Sequence, residues 1–180
     1  MDATVTCVER VGLGGFALED VATEAGVSRA TIYRHFEGGR DQLISETVTR
    51  EVADFWRGLA EEVADLVGLE NRLVGGLMAA NERIASHGLL QRLLAAEPEY
   101  ILAAIFESEP LVLLVLRGYI RELLNGQLLR PGVDPDEAAD YLTRMTLTHM
   151  GSHGRWDMAD EAQVRRLVRS QFLAGVLQPM

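Results

Sequence analysis

Lysine is missing from this 180-residue sequence; all 17 cationic side chains are arginine, against 27 Asp and Glu, for a formal net charge of −10. So acidic a chain is a poor non-specific binder of nucleic acid, and any such contact must come from a local cationic patch and be salt-sensitive. Cysteine is almost as scarce. The lone Cys7 excludes an intramolecular disulfide and fits a reducing cytoplasm, the expected location. No uncharged apolar run reaches the roughly 18 residues of a membrane-crossing helix. The run Leu111 to Leu116 is short and is followed by Arg117 and Arg121. Met1 to Arg10 is polar, without the apolar stretch of a signal peptide. Nucleophile elbows, Walker loops, HExxH and CxxC are absent, so no enzyme activity and no cofactor are expected. His149 and His153 lie four apart, but Gly151 and Gly154 interrupt the stretch and no carboxylate or thiol completes a set, so no metal site is expected. Alternating strand patterns, internal repeats and low-complexity segments are also missing. What remains is helical periodicity and 48% apolar residues, the pattern of an all-α globular chain.

The most informative stretch is LEDVATEAGVSRATIYRHF, Leu18 to Phe36. Leu18, Val21, Ala22 and Ala25 fall at helical spacing on one face. Gly26 is suited to the left-handed conformation that ends a helix. Val27 is placed to pin the turn to a core, and Ser28 to cap the next helix. On that second helix Ile32 and Phe36 face inward, while Arg29, Thr31, Tyr33, Arg34 and His35 face out. Residues 25–36 hold two arginines and no acid, an island of positive charge in an acidic protein. Helix, glycine turn and capped helix with a basic, aromatic outer face describe a helix-turn-helix whose second helix enters a DNA major groove.

AGVSRATIYRHF followed by EGGRDQLI resembles the signature of the tetracycline-repressor (TetR) family of bacterial transcriptional regulators, over residues 12–50. The resemblance implies an N-terminal three-helix DNA-binding domain, 1–46, and a larger helical domain, 47–180, that binds an effector and dimerises. It implies a homodimeric repressor, released from a palindromic operator on double-stranded DNA by a small, largely apolar effector. The DNA-facing set is then Ser28, Arg29, Ala30, Thr31, Tyr33, Arg34, His35 and Arg40, with Tyr33 matched to a phosphate contact. Family members usually begin with a longer first helix after a basic arm; here only Arg10 supplies a cation before Arg29. Ala17 stands where the family has a Thr or Ser cap, offset in part by Glu19 and Asp20 at the helix start. Near the next helix start, where the family places a lysine, stand Gly39 and Arg40. Arg40 is there either as a phosphate contact, with the free amides of the helix, or as a solvated charge.

The rest reads as helices. A short one spans Asp2 to Val11, with Val5, Val8 and Val11 inward. The GLGG run at Gly12–Gly15 resembles part of a nucleotide-binding loop, but no strand precedes it, and a turn is expected. One long helix is expected from Arg40 to Leu66, then Glu70–Ser86, Leu89–Ala96, Pro98–Phe106, Pro110–Leu129, Pro135–Met150 and Asp160–Leu177. Met78, Tyr100, Phe106, Arg117, Tyr119, Tyr141, Met145, His149 and Trp156 are the candidates to line an effector pocket or, equally, to fill a core. For the dimer, Tyr141, Leu142, Met145 and His149 form one stripe and Val164, Val168, Phe172 and Val176 another. Two rival readings stand beside this one. The first is a DNA-binding dimer without a small-molecule effector, and the second is a helical adaptor or enzyme that binds no DNA.

Overall fold

The computed structural model describes residues 1–150 and 154–179, with backbone alone at 100 and 103–108. The fold is all-α. Its helices are α1 (Asp2–Val11), α2 (Leu18–Glu24), α3 (Arg29–His35), α4 (Gly39–Glu62), α5 (Leu69–Ser86), α6 (Gly88–Ala96), α7 (Pro98–Leu123), α8 (Pro135–His149) and α9 (Glu161–Leu167). A π-helical turn, Val168–Leu173, continues α9. Among the described residues the one β-type pairing is an isolated bridge between Leu129 and Leu177. No described helix is long and apolar enough to cross a membrane.

The chain divides into two compact units, Met1–Phe55 with His87–Glu109, and Trp56–Ser86 with Pro110–Met180. The first unit therefore takes in more than the helix-turn-helix segment 1–46. Leu93 of α6 and Ile101 of α7 are buried in one apolar cluster with Cys7, Val8, Leu13, Phe16, Leu18, Val21, Ala22, Ile32 and Leu43. Three short helices enclose little apolar volume by themselves, and α6 with the start of α7 supplies the missing part. A polar tie accompanies the packing. Glu97, at the α6–α7 junction, accepts from the amides of Leu13 (2.9 Å) and Gly14 (2.8 Å). The GLGG run is thus a turn, as expected, and two of its amides are held by an internal carboxylate. On α1 the inward face is Thr4, Cys7 and Val8, whereas Val11 is exposed and Val5 only half-buried. The expectation of three valines inward is corrected, because the steps 4, 7, 8 follow the helical repeat better than 5, 8, 11 do.

In the second unit α5 packs against α8, α9 and the π-helical turn. Leu69, Leu73, Val74, Leu77 and Ala80 of α5 are buried there, as are Ile120, Ala139, Leu142, Val164, Leu167, Val168 and Phe172. Asp134 caps α8 as its Asp-Pro sequence predicts, accepting from the amides of Asp136 and Glu137. Four boundaries differ from expectation, the first being α4, which ends at Glu62 and not at Leu66. Pro110 lies inside α7 and does not start a new helix. Proline withholds one amide, but the helix-forming residues on both sides carry the helix through. That helix stops at Leu123 because Gly126 takes a left-handed φ of 78°. The last helix is α-helical only to Leu167, then widens into i→i+5 bonding.

Candidate nucleic-acid interface

The turn before α3 is built as its residues dictate. Gly26 has φ +66°, the amide of Val27 donates to the Ala22 carbonyl (3.0 Å), and that of Gly26 to the Thr23 carbonyl (3.2 Å). This is a Schellman arrangement, in which the residue after the glycine contacts the last turn of the helix. Val27 keeps 40% of its surface exposed, and Ala25 is exposed too. Both were expected inside. Because α2 ends at Glu24, Ala25 already belongs to the turn that leads away from the core. Ser28 caps α3: its Oγ accepts from the Thr31 amide (3.1 Å) and lies 2.9 Å from Thr31 Oγ1. At α2 the missing Ala17 cap is replaced by Asp20, whose Oδ2 accepts from the Ala17 amide at 2.7 Å.

α3 is seven residues long, so its two faces separate cleanly. Ile32 is buried, Phe36 packs on the same cluster, and Arg29, Ala30, Tyr33, Arg34 and His35 are exposed, with Thr31 half-buried. Two kinds of basic side chain stand on the outer face. Arg34 and His35 have no hydrogen-bond or ion-pair partner among the described residues. Arg29, by contrast, is engaged. Its Nη2 lies 2.7 Å from Glu19 Oε1 and 3.5 Å from Tyr33 Oη, and its guanidinium stands 5.2 Å from the Tyr33 ring centre. The hydrogen bond to Tyr33, then the charge of Glu19, push the Arg29 guanidinium up from its ordinary value, so it stays a cation at any working pH. Glu19 was read from sequence only as a helix-start charge. Its reach to Arg29 becomes visible once α2 and α3 are set against each other.

Arg40, in the first turn of α4, is not fully solvated and has no ion pair among the described residues. Its guanidinium rests 5.0 Å from the Phe16 ring centre, and Nε and Nη2 are buried without a hydrogen-bond partner among the described residues. Arg10 forms an ion pair with Glu24 at 3.5 Å.

The other sequence candidates scatter. The side chains of Tyr100 and Phe106 lie outside the described residues, as does His153. Met78 and Met145 are half-buried and Arg117 is exposed. Tyr119 Oη accepts from Arg72 at 3.4 Å, and Tyr141 Oη donates to the Gln171 carbonyl. His149 sets Nδ1 2.8 Å from the Met145 carbonyl, with its ring 5.3 Å from Phe172. Trp156 is buried, with Arg155 and Arg166 at 4.9 and 5.3 Å from its ring centre. A surface groove of about 470 Å³ is lined by Ala162, Arg165, Arg166, Arg169 and Ser170, none of them a pocket candidate from the sequence. The two stripes named for a dimer need correcting in one respect. Leu142, Val164, Val168 and Phe172 are fully buried within a single chain, and Val176 nearly so. They turn inward against α5 and form the unit's own core; only Tyr141 remains exposed. No group of three or more His, Cys, Asp or Glu among the described residues is arranged to hold a metal.

Comparison with known proteins gives three findings. Residues 1–47 match the family described as bacterial regulatory proteins, tetR family. An HTH-type transcriptional regulator, BetI of Burkholderia thailandensis, is 30% identical over 81 residues, 45% of this chain and 41% of that protein. The matched segment therefore spans about two fifths of that relative. Among solved structures, a tetR-family transcriptional regulator from Mesorhizobium loti superposes with a TM-score of 0.65 at 23% identity, covering 98% of this chain and 94% of that one. The fatty acid degradation regulator FadR of Bacillus halodurans superposes with a TM-score of 0.58 at 16% identity, covering 94% and 96%. At these identities the two structures speak for a shared fold.

Proposed function

We propose, from the match of residues 1–47 to the tetR family of bacterial regulatory proteins, that the chain is a cytoplasmic, DNA-binding transcriptional repressor that acts as a homodimer on a palindromic operator. The observation that carries the reading is the division of α3. Ile32 and Phe36 are committed to the core, which leaves Arg34 and His35 outward and, among the described residues, unpartnered on a helix with no acid of its own. Residues 1–46 would supply the reading head. Arg34 is the candidate for guanine edges, with Tyr33, Ser28, Ala30 and Thr31 lying along the backbone. Arg40, two of whose nitrogens are buried without an acceptor, would gain one from a phosphate oxygen. A twofold dimer sets two such helices roughly 34 Å apart, one turn of duplex.

The proposed switch is a small, largely apolar effector bound by residues 47–180, which changes the spacing of the two reading heads. A bound effector that left operator affinity unchanged would sink this part. The function as a whole is tested by selecting bound sequences from random duplex DNA at moderate salt, with Arg34→Ala alongside. An enriched palindrome with half-sites about one turn apart is expected. No enrichment at any salt concentration rules the reading out.

A further inference from the structure

We propose that Glu19, on α2 and outside the recognition helix, is a specificity-determining residue: it holds Arg29 in the orientation in which that arginine reads one base pair of each half-site. The inference rests on the DNA-reading function proposed above. Its basis is the arrangement Glu19–Arg29–Tyr33. One carboxylate oxygen, Glu19 Oε1, receives Arg29 Nη2 at 2.7 Å and, more loosely, Tyr33 Oη at 3.4 Å; the same Nη2 also reaches Tyr33 Oη. The tyrosine ring flanks the guanidinium at 5.2 Å. Glu19 and Tyr33, from two helices, thus both meet one outer-face nitrogen of Arg29; Arg29 and Tyr33 are exposed and Glu19 is half-buried.

On electrostatic grounds alone a carboxylate is unwelcome here. It stands beside the cations that would meet phosphate and subtracts from their attraction. As a surface ion pair it adds little to stability. Its effect is geometric. A free arginine at a surface samples many rotamers and must give them up on binding, whereas one held in place by a carboxylate and an aromatic ring has little left to lose. Among the described residues Arg29 Nη1 and Nε are uncommitted, so the guanidinium keeps donors for the guanine N7 and O6 acceptors in the major groove. Arg34 has no such support among the described residues, so the two arginines of the same helix differ in kind. Arg29 is oriented in advance, and Arg34 is free to adapt.

The test compares the base preferences of the full-length protein with those of Glu19→Gln, Glu19→Ala, Arg29→Ala and the Glu19→Ala/Arg29→Ala pair, each selected on random duplex DNA. Thermal unfolding of each variant guards against misfolding, and the near-isosteric Glu19→Gln changes the charge with the least disturbance. Arg29→Ala is expected to weaken preference at one base pair per half-site by about tenfold. Both Glu19 variants should weaken that same position and no other, and the double variant should be no worse there than Arg29→Ala alone. Removing a negative charge should raise affinity for unselected DNA whichever role Glu19 has, so that gain is not the readout. Preferences at every position like those of the unaltered protein in both Glu19 variants would overturn the proposal while leaving the DNA-reading function intact. Absence of any preferred sequence for the unaltered protein would overturn both.

Discussion

Two arginine clusters in this acidic chain look alike in sequence and differ in what surrounds them. On α3, Arg34 and His35 stand without partners among the described residues, and Arg29 has one carboxylate beside it. On α9 and the turn that follows, Arg165 and Arg169 both converge on Glu70 of α5, at 2.7 and 2.9 Å. Arg165 also meets Glu161 at 2.6 Å and Asn71 at 2.8 Å, and Arg166 lies over Trp156. The second cluster holds its own unit together, and the first is available to something else. Counting cations along a sequence does not separate the two cases. The positions of the countercharges do.

The strongest way to break that comparison is to remove a cation from each side. Arg34→Ala should cost about 1 to 3 kcal/mol of specific DNA binding, if it reads a base, with stability to denaturant unchanged within about 0.5 kcal/mol. A uniform loss over all sequences with a shallower salt dependence would make it a phosphate contact; a large loss of stability would mean that the two clusters are alike after all.

Next in size is Glu70→Gln, which unpairs two guanidiniums at a half-buried position and should cost about 2 kcal/mol of stability, measured by urea unfolding, with DNA selectivity unaltered. This group also carries a pH signature. The Arg169 guanidinium first, and Arg165 after it, hold the Glu70 carboxyl below its ordinary value. A depressed folded-state pKa means that the stabilisation is present above the unfolded value of about 4.3 and is lost as pH falls through the folded one. Asp140 and Asp160 are shifted the same way. The check is therefore the difference between the two proteins: the gap in stability between the unaltered chain and Glu70→Gln should shrink below about pH 4.3 and stay constant above it.

Ser28→Ala removes the cap of α3 and should cost about 1 kcal/mol by thermal unfolding. DNA affinity should fall with it, because the cap sets the start of the helix that carries Arg29 and Arg34. Smallest of all, Arg166→Ala should cost well under 1 kcal/mol, the range of an exposed cation–π contact. A larger loss of stability would show that Arg166, too, is part of its unit's framework.

The difference between the clusters also marks what could be read in advance. The helix-turn-helix was legible because its determinants are local. Gly26 and Ser28 act within four residues of themselves, and Ile32 and Phe36 share a face by helical geometry alone. The same reasoning gave the cap at Asp134 and the all-α class. It failed where two patterns were equally helical. The stripe Val164–Val168–Phe172–Val176 has the spacing of a face, and spacing does not say whether the face meets another chain or this chain's own α5; the structure turns it inward. Pro110 was read as a start because proline is tolerated there, and the helix-forming residues on both sides of it carried α7 through.

By itself, then, the sequence determined the all-α class, the turn at Gly26, the cap at Ser28 and the outward face of α3, because each depends on neighbours within a turn or two. Tertiary structure alone decided the contacts that join distant residues. Glu97 closes on Leu13 and Gly14 across more than 80 positions, and Arg165 and Arg169 meet Glu70 across more than 90. Glu19 reaches Arg29 only because the glycine turn folds α2 back toward α3. A carboxylate in a linear sequence carries no mark of which cation or amide it will satisfy. Packing of the apolar faces makes that choice, and the charges then pair with whatever the packing has brought within reach.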